Sequence, residues 1–486
     1  MPAPTMKLKP YQHDIACETI KRFQKGKQYL YAAQMGSGKT LMAIAVAQRL
    51  MDSGELSRVL VVCPNAVINA WPREVQKWYK QGLCRKPPEA MNIKKVKKEK
   101  RLESLPDSGF VVVNYESCWE RDENKKPVPA SWIRAWKPEM VICDEIHCLG
   151  SPDSMQSIAL HKLNHVPYKL GLSGTPIQNI PLNLWSVYKF LDPTIFHPNY
   201  TSFKARHVRS IKIKYKEPQK NGRKSFPKDI GYKNLDELHA KFHANAVVLQ
   251  LSDVLDMPPY RTVVVPIKMK AGDRKNMELI KAAGREAIAS GEPAAALKVA
   301  VRLRRFLGGF VPGENDAWHF GNTAKIETLL SMARQFKKDN IKFVVFCQFT
   351  AEVVFLCDYL KSAGLISHTF YGQTKPDDRQ LLIDEFQMGN IDCLVCQTSV
   401  AGTGVTLTRG TVSIFYSLSF KFVEKEQAEF RMWRMGQENM VTAYFLTTTD
   451  SYDEHIYATV QSKQDVATSI TAMKEMFGDG PQDGED

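Results

Sequence analysis

Hydrophobic and polar positions alternate along this chain in two long blocks. From about 28 to 195, and again from about 319 to 462, short apolar runs typical of buried strands are separated by amphipathic stretches of helix length. Strands that alternate with helices form parallel sheets, because each crossover between parallel strands needs a long connection. The pattern predicts an α/β fold with two parallel-sheet lobes.

The region between the two blocks has a different pattern. Residues 235–250 and 273–307 have the spacing of helices, so we expect a helical insertion there. The predicted parts are lobe 1 at 1–195, a basic helical insertion at 196–318, lobe 2 at 319–465 and a C-terminal tail at 466–486. The tail is acidic and rich in glycine and proline from Gly478 onward, and its end is expected to be disordered.

A glycine-rich stretch follows the first apolar run. Residues 35–40 read Met-Gly-Ser-Gly-Lys-Thr and precede a helix-like segment. Gly36 and Gly38 let the backbone curl so that its N–H groups point inward, which together with a helix N-terminus forms an anion site. The pattern predicts a loop that binds a nucleoside triphosphate. Lys39 would reach the β- and γ-phosphates, and the Thr40 hydroxyl would bind Mg²⁺.

Two acidic residues follow a later apolar run. Residues 140–143 predict a buried strand that ends at Asp144 and Glu145. Because ligands bind at the carboxyl ends of strands in open α/β sheets, we expect Asp144 to hold Mg²⁺ and Glu145 to orient or deprotonate the attacking water. A third stretch, 173–179, is rich in turn residues, includes Gln178 and is expected to form a sensor loop.

Two arginines lie three residues apart near the end of the second block. On a helix, Arg431 and Arg434 would share one face, so both planar guanidinium groups could bind the same phosphate. The alternative is a solvated basic helix face.

These segments resemble helicase superfamily two, and specifically its SWI/SNF-type DNA-translocase branch. The resemblance runs nearly from end to end: residues 8–12 resemble the adenine-recognition segment, 144–147 the Asp-Glu-x-His (DEAH-like) box, 173–179 the third motif, 401–408 the fifth and 427–437 the sixth. It implies two RecA-like motor lobes that use ATP and Mg²⁺. The implied catalytic residues are Lys39, Glu145, Gln178, Arg431 and Arg434; the implied nucleotide contacts are Gln12, Met35, Gly36, Ser37, Gly38, Lys39, Thr40 and Gly404; the implied metal ligands are Thr40 and Asp144.

Three departures from this family pattern stand out. Ala33-Gln34 replace an acidic pair that commonly precedes the phosphate loop, and residues 249–252 read Leu-Gln-Leu-Ser where an Arg-rich segment is usual. Met432-Trp433 replace a more polar dipeptide between the two arginines. None of these changes removes a phosphate or metal ligand, so they bear on coupling to a partner more than on hydrolysis.

The charge of the chain is uneven as well as positive. The formal net charge is +14, residues 94–101 are rich in lysine, and residues 204–228 carry ten Lys or Arg against one Glu. Phosphate backbones are natural partners for such density, and duplex DNA is favoured; the alternative is a solvated charge run.

Other features exclude several protein classes. No apolar run approaches the roughly 18 to 20 residues that span a bilayer. The ten cysteines do not suggest a disulfide scaffold, and Cys393 and Cys396 would point to opposite faces of a strand, which argues against zinc. We expect an intracellular monomer with no membrane partner. It would be cytoplasmic, or in the host cytoplasm if viral, with a nuclear location left open.

The expected function is ATP-dependent translocation along double-stranded DNA in replication, repair or recombination, as in stand-alone viral or bacterial systems. One alternative is a strand-separating DNA or RNA helicase of the same superfamily. Another is a non-catalytic scaffold, against which the intact lysine, acidic and arginine positions argue.

Overall fold

Two parallel sheets organise the chain, one in each of two units, Met1–Leu255 and Asp256–Asp486. The computed structural model describes residues 8–65, 67–80, 89–174, 181–214, 225–289, 295–312, 318–321, 323–401, 405–419 and 422–461. The predicted α/β class with two parallel-sheet lobes is confirmed. The predicted tail, 466–486, lies outside the described residues.

Unit 1 begins with a helix and continues as alternating strands and helices. Its elements are α1 (Pro10–Gln24), β1 (Tyr29–Ala33), α2 (Lys39–Asp52), β2 (Arg58–Cys63), α3 (Ala70–Lys80), β3 (Glu89–Asn92), β4 (Gly109–Asn114), β5 (Trp119–Arg121), β6 (Pro127–Pro129), α4 (Ser131–Trp136), β7 (Met140–Asp144), α5 (Met155–His161), β8 (Tyr168–Ser173), α6 (Pro181–Leu191), α7 (Tyr200–His207), β9 (Val208–Lys214), β10 (Ser225–Tyr232), α8 (Leu235–Asn245) and β11 (Ala246–Leu249). Short 3₁₀ turns cover Ile93–Lys95, Lys98–Lys100, Tyr115–Ser117, Ile146–Leu149 and Leu251–Asp253.

The unit 1 sheet has the strand order β11-β1-β8-β7-β2-β4-β3, and every neighbouring pair is parallel. Successive side chains of a strand point to opposite faces, so each apolar strand supplies two cores. Leu30 packs into one hydrophobic cluster and Tyr31 into the other. Helices cover both faces, which explains why the strands are continuous apolar runs.

Unit 2 repeats this construction with six strands. Its elements are β12 (Tyr260–Ile267), α9 (Ala271–Ala289), α10 (Ala295–Leu307), β13 (Phe310–Pro312), β14 (Trp318–Phe320), α11 (Ala324–Lys338), β15 (Phe343–Cys347), α12 (Thr350–Ser362), β16 (Ser367–Phe370), α13 (Pro376–Met388), β17 (Cys393–Gln397), α14 (Thr398–Ala401), β18 (Val412–Phe415), α15 (Phe422–Glu429), β19 (Val441–Thr448) and α16 (Tyr452–Gln461). The sheet order is β12-β19-β18-β15-β17-β16, again entirely parallel.

The region 196–318, which the sequence pattern treats as one helical insertion, is divided between the two units. Its strand β11 pairs with β1 at one edge of the unit 1 sheet, whereas β12 pairs with β19 at one edge of the unit 2 sheet. The basic stretch 204–228 covers the end of α7, the strand β9 and the start of β10, which pairs with β9 in an antiparallel ribbon; residues 215–224 lie outside the described residues. β11 has only four residues, and most of β12 is exposed or half-buried, so neither edge strand has the fully buried pattern of the central strands.

Two predicted helices also end differently from the expectation. The helix expected over 235–250 stops at Asn245, because β-branched Val247 and Val248 find a hydrogen-bonding partner in β1. The helix expected over 273–307 is two helices, α9 and α10, which pack closely: a methyl group placed on Gly284 would lie 2.6 Å from a Val299 methyl carbon. Among the described helices, none is both long enough and apolar enough to cross a membrane.

A buried carboxyl group fixes the start of α12 in unit 2. Glu352 is fully buried, and its Oε2 accepts hydrogen bonds from the Ser417 hydroxyl and from the backbone N–H groups of Gln348 and Phe349, both at 3.1 Å. Burial raises the pKa of Glu352 from 4.5 to about 7, although these hydrogen bonds favour the charged form. The folded protein therefore keeps this proton to higher pH than the unfolded chain does.

This raised pKa predicts a pH-dependent stability. As pH rises from about 4.5 to about 7, the unfolded chain loses the Glu352 proton first, so the free energy of unfolding should fall by up to about 3 kcal/mol. Glu352→Gln should remove this part of the pH dependence, and Glu327→Gln, at an exposed carboxylate, is the control. Urea unfolding of the three proteins between about pH 5 and pH 8 measures the effect. Parallel pH profiles for wild type and Glu352→Gln would contradict it.

Candidate active site

The glycine-rich loop connects β1 to α2 at the carboxyl edge of the unit 1 sheet. Gly36 and Gly38 have φ angles of 86° and 83°, in the left-handed region that favours glycine. The Ser37 N–H donates to the carbonyl of Gln34 at 3.3 Å, and the Met42 N–H donates to that of Gly38 at 2.9 Å, which starts the helix. The predicted curled loop before a helix N-terminus is therefore present.

Lys39 is the first residue of α2, and it is buried. Its Nζ donates to the Ala33 carbonyl at 2.7 Å and approaches the Gln34 carbonyl at 3.4 Å, so the ammonium group lies inside the loop. Thr40 follows at the second position of the helix. The Ser37 hydroxyl is buried and lacks a hydrogen-bond partner among the described residues. A buried lysine and an orphaned hydroxyl fit a loop that receives a phosphate group.

Gln12 reaches the same loop from α1. Its Nε2 donates to the Ser37 carbonyl at 3.1 Å, and the Tyr11 hydroxyl donates to the same carbonyl at 2.9 Å. The Lys9 N–H donates to Gln12 Oε1 at 3.0 Å, which fixes the orientation of the amide. The side chain of Gln12 is buried beside Gly38, where any larger residue would collide with it. The structure thus joins two segments that are distant in sequence.

Asp144 ends β7 with both carboxylate oxygens held. Trp71 Nε1 donates to Oδ2 at 2.9 Å, and the Glu145 N–H donates to Oδ1 at 3.0 Å. Burial, and then the nearby charge of Glu145, raise the pKa of Asp144 to about 6, while Trp71 and Lys39 act in the opposite direction. A divalent cation at this carboxylate would favour its charged form.

Glu145 adopts a left-handed backbone conformation, with φ 49° and ψ 53°. Its Oε2 lies 3.3 Å from His147 Nδ1 and accepts a hydrogen bond of 3.3 Å from the Gly174 N–H. Burial alone would raise the pKa of Glu145, but the His147 hydrogen bond and charge, together with Lys39, lower it. Non-glycine residues rarely occupy this backbone region, and such strain is common at functional sites.

The start of the third motif completes the cluster. A methyl group placed on Gly174 would lie 2.8 Å from Met35 Cγ, 3.4 Å from Lys39 Nζ and 3.6 Å from Glu145 Oε1. The glycine is therefore required for close approach of the phosphate loop, the acidic box and the end of β8. Gln178 belongs to the predicted sensor loop but lies outside the described residues, as does Gly404 of the fifth motif.

Two residues that hold the acidic pair were not assigned a role from the sequence. Trp71 donates to Asp144, and His147 lies within 3.5 Å of Ser173 Oγ as well as beside Glu145. His147 belongs to the segment 144–147 that carries the family resemblance, but spacing alone does not reveal which atom either residue contacts.

The arginine pair of unit 2 is not on a helix face, so the expected helical placement is wrong. The helix α15 ends at Glu429, and Arg431 and Arg434 lie in the turn that follows. The Arg431 N–H bonds to the carbonyl three residues earlier, at 3.2 Å, and the Arg431 carbonyl accepts the Leu407 N–H at 2.8 Å. This bond holds the turn that carries the arginines against the fifth motif.

One glutamine organises this turn. Gln437 Nε2 donates to the carbonyls of Thr408, Gly410 and Met432 at 2.9, 3.1 and 3.2 Å. Arg434 Nη1 contacts the Val405 carbonyl at 3.3 Å. The fifth and sixth motifs are therefore held together within unit 2, with Arg431 buried and Arg434 partly exposed.

The ligand set of unit 1 fits Mg²⁺ bound together with a nucleotide. No group of three or more His, Cys, Asp or Glu side chains in the described ranges could hold a metal ion. Mg²⁺ commonly uses one or two protein oxygens and takes its remaining ligands from phosphates and water. The predicted ligands, Thr40 and Asp144, would make such a partial set. Cys393 and Cys396 pack into different hydrophobic clusters, on opposite faces of β17.

Comparisons with known proteins find relatives that align with most of this chain. Chromodomain-helicase-DNA-binding protein 1-like of Danio rerio is 24% identical over 471 residues, covering 94% of this chain and 43% of the relative. The DNA repair and recombination protein RAD26 of Saccharomyces cerevisiae is 25% identical over 502 residues, covering 92% and 45%. The chain thus spans less than half the length of these two relatives.

A solved structure of the Sulfolobus solfataricus SWI2/SNF2 ATPase core in complex with dsDNA is similar at a TM-score of 0.43 and 20% identity, covering 97% of this chain and 93% of that one. The sequence pattern of the SNF2-related domain matches residues 11–307, and that of the helicase conserved C-terminal domain matches residues 324–436. Because the first match alone covers more than half of the 486 residues, the chain belongs to the SNF2-related, SWI/SNF-type branch of helicase superfamily two.

Proposed function

We propose that this chain is a DNA-dependent ATPase that translocates along double-stranded DNA, in DNA replication, repair or recombination. The observation that carries the proposal is the cluster of Lys39, Asp144, Glu145 and Gly174 around the glycine-rich loop. Family membership supports the same reading, and one relative is named a DNA repair and recombination protein.

ATP is the proposed substrate and Mg²⁺ the proposed cofactor. The loop N–H groups and Lys39 bind the phosphates, and Thr40 and Asp144 hold the metal ion, which would neutralise charge on the phosphate oxygens. Gln12, whose amide is fixed by Lys9 and bonded to the Ser37 carbonyl, is proposed as the contact to the base. Met35, Gly36 and Gly38 complete the loop, and Gly404 is proposed as a further nucleotide contact.

Glu145 is proposed to orient the attacking water, with Gln178 assisting. His147 and the Gly174 N–H hold its carboxylate in one position, so an oriented acceptor is present before the substrate binds. Arg431 and Arg434 are proposed to stabilise negative charge on the γ-phosphoryl oxygens during transfer. Gln437 positions the turn that carries them.

Duplex DNA is the proposed partner, and the ribbon of β9 and β10 is a proposed contact. Lys204 and Arg206 are neutralised by Asp229 and Glu237, each pair at 2.7 Å. Arg209 and Lys212 lie further along β9 and are exposed. Two-stranded ribbons of this kind fit the major groove of DNA, and exposed basic side chains bind its phosphates. A monomeric, intracellular protein is also proposed.

The experiment that tests this function measures ATP hydrolysis with no DNA, single-stranded DNA, duplex DNA and forked DNA. Duplex DNA should stimulate hydrolysis most, and the protein should displace the third strand of a triplex while unwinding a plain duplex poorly. Efficient unwinding without triplex displacement would favour the strand-separating helicase instead. Absence of ATP hydrolysis under all four conditions would favour the non-catalytic scaffold, and hydrolysis that no DNA stimulates would contradict the DNA-dependent reaction.

Lys39 and Glu145 should separate nucleotide binding from hydrolysis. Lys39→Ala should lose both, because the loop offers no second ammonium group, whereas Glu145→Gln should bind ATP normally and lower kcat by at least about 100-fold. Phosphate release and binding of fluorescent ATP measure the two properties. Lys27→Ala, at the amino edge of the sheet, is the control. Wild-type turnover in either site variant would show that the assigned roles are wrong.

Trp71 should influence the magnesium requirement through Asp144. Trp71→Phe removes the N–H donor but keeps an aromatic ring, so about tenfold more Mg²⁺ should be needed for half of the rise in melting temperature that ADP causes. Trp78→Phe is the matched control, since that indole lies on the same helix and donates to Glu74 at 2.9 Å. Equal magnesium requirements in the two variants would contradict a role for Trp71 in metal binding.

The exposed part of the ribbon should contribute phosphate contacts. Arg209→Gln with Lys212→Gln should weaken duplex binding and reduce the steepness of log K against log salt by about 0.9 for each lost contact. Hydrolysis without DNA should stay near the wild-type rate. Lys25→Gln with Lys27→Gln removes the same charge from exposed positions between α1 and β1, outside the ribbon, and serves as the control. An unchanged salt slope would mean that the ribbon is only a solvated surface.

A further inference from the structure

The three departures from the family pattern lie at the two ends of the segment that connects the units. The first departure is Gln34, which directly precedes the glycine-rich loop. The second is the stretch 249–252, which follows β11. The third includes Trp433, between the two arginines of unit 2. Their contacts give them a shared role that their sequence positions do not reveal.

At the unit 1 end, Gln34 joins the connecting segment to the phosphate loop. Its N–H donates to the Leu249 carbonyl at 2.9 Å, and its Oε1 accepts the Leu251 N–H at 2.8 Å. Its own carbonyl accepts the Ser37 N–H and lies 3.4 Å from Lys39 Nζ. The partners of Gln34 in the segment 249–252 are therefore backbone groups rather than charged side chains, which suits a neutral amide at position 34.

At the unit 2 end, Trp433 joins the connecting segment to the arginine turn. Its Nε1 donates to the Pro258 carbonyl at 2.7 Å, and its ring packs 5.3 Å from the ring of Tyr260, the first residue of β12. The Pro259 carbonyl accepts the Val441 N–H at 3.1 Å. Trp433 lies directly beside Arg434, so the segment and the arginine side chains are fixed to one small turn.

The stretch between these two attachments is short. The Leu255 N–H is bonded to the Leu251 carbonyl at 2.9 Å, so only Asp256 and Met257 lie between that turn and Pro258. Three residue steps reach at most about 11 Å when fully extended. The two consecutive prolines that follow have fixed φ angles and resist bending. The short connection therefore limits how far apart its two attachments can move.

We propose that Gln34 and Trp433 are positioning residues that fasten the two ends of this connecting segment, so that the state of the phosphate loop sets the position of Arg431 and Arg434. The proposal rests on the proposed function, because it assigns the arginines to the same reaction. It predicts that the two residues, 399 positions apart in sequence (433 − 34), act as one unit.

The test compares single and double variants with matched controls. Gln34→Ala and Trp433→Phe should each lower DNA-stimulated kcat about tenfold, with the KM for ATP nearly unchanged, because the arginines are misplaced only in the transition state. Gln28→Ala and Trp136→Phe are the controls. They remove a similar amide acceptor for a backbone N–H and a similar indole donor to a proline carbonyl, away from the connecting segment. Their kcat should stay at the wild-type value.

The double variant distinguishes coupling from two separate structural defects. If both residues act through one segment, the double variant Gln34→Ala with Trp433→Phe should have about the same DNA-stimulated kcat as the less active of the two single variants. Inserting two glycines between Asp256 and Met257 should produce the same loss, and Trp433→Phe should add nothing to it. The proposal would be overturned if the fold loss of kcat in the double variant equalled the product of the two single losses. An equal loss of kcat in the controls would also overturn it.

A second measurement does not depend on catalysis. Adding ADP with Mg²⁺ and no DNA should slow amide hydrogen exchange at 36–42 and also at 430–437 in the wild type. In Trp433→Phe and in the glycine insertion, only the first response should remain. Retention of both responses in these variants, or absence of the second in the wild type, would overturn the proposal. If the wild type binds ADP but never hydrolyses ATP, the proposed function fails while the exchange measurement still tests the connection.

Discussion

Three parallel strands, β1, β8 and β7, lie side by side in unit 1 and end at the same edge of its sheet. The loop after β1 carries Lys39, β8 ends at Ser173 and β7 ends at Asp144. In a parallel sheet the carboxyl ends of neighbouring strands are about 5 Å apart, so residues far apart in sequence meet there. The candidate active site depends on this strand order more than on any single contact.

Grouping these charges requires polar support. Lys39, Asp144 and Glu145 are largely removed from solvent, and an uncompensated buried charge is costly. Trp71 and His147 supply hydrogen bonds to the acidic pair, and Gly174 supplies a backbone donor without adding volume. The surrounding residues thus let a charged cluster persist in the folded protein, where a phosphate group and a metal ion would complete it.

Hydrogen bonds between uncharged groups link the loop to the remainder of the chain. Gln34 bonds simultaneously to the loop and to the segment after β11, and Trp433 bonds to the segment before β12. Where the family commonly has charged residues, this chain uses amide, indole and backbone groups. Such contacts are short-ranged and directional, and they are less sensitive to salt than exposed ion pairs.

The sequence by itself determined the parts that rest on local pattern. Continuous apolar runs identified β1 and β7, glycine spacing identified the loop before α2, and residue type identified Lys39, Asp144 and Glu145 as a set. These features follow from backbone geometry and burial, which act over a few residues.

Tertiary structure alone decided the rest. The edge strand β11 forms because β1 offers it a hydrogen-bonding partner, and the turn after α15 is held by a hydrogen bond from the Leu407 N–H to the Arg431 carbonyl. The partners of Trp71, His147, Gln34 and Trp433 depend on which elements become neighbours. Local periodicity does not encode contacts between residues that are distant in sequence, so only the folded structure identifies these contacts.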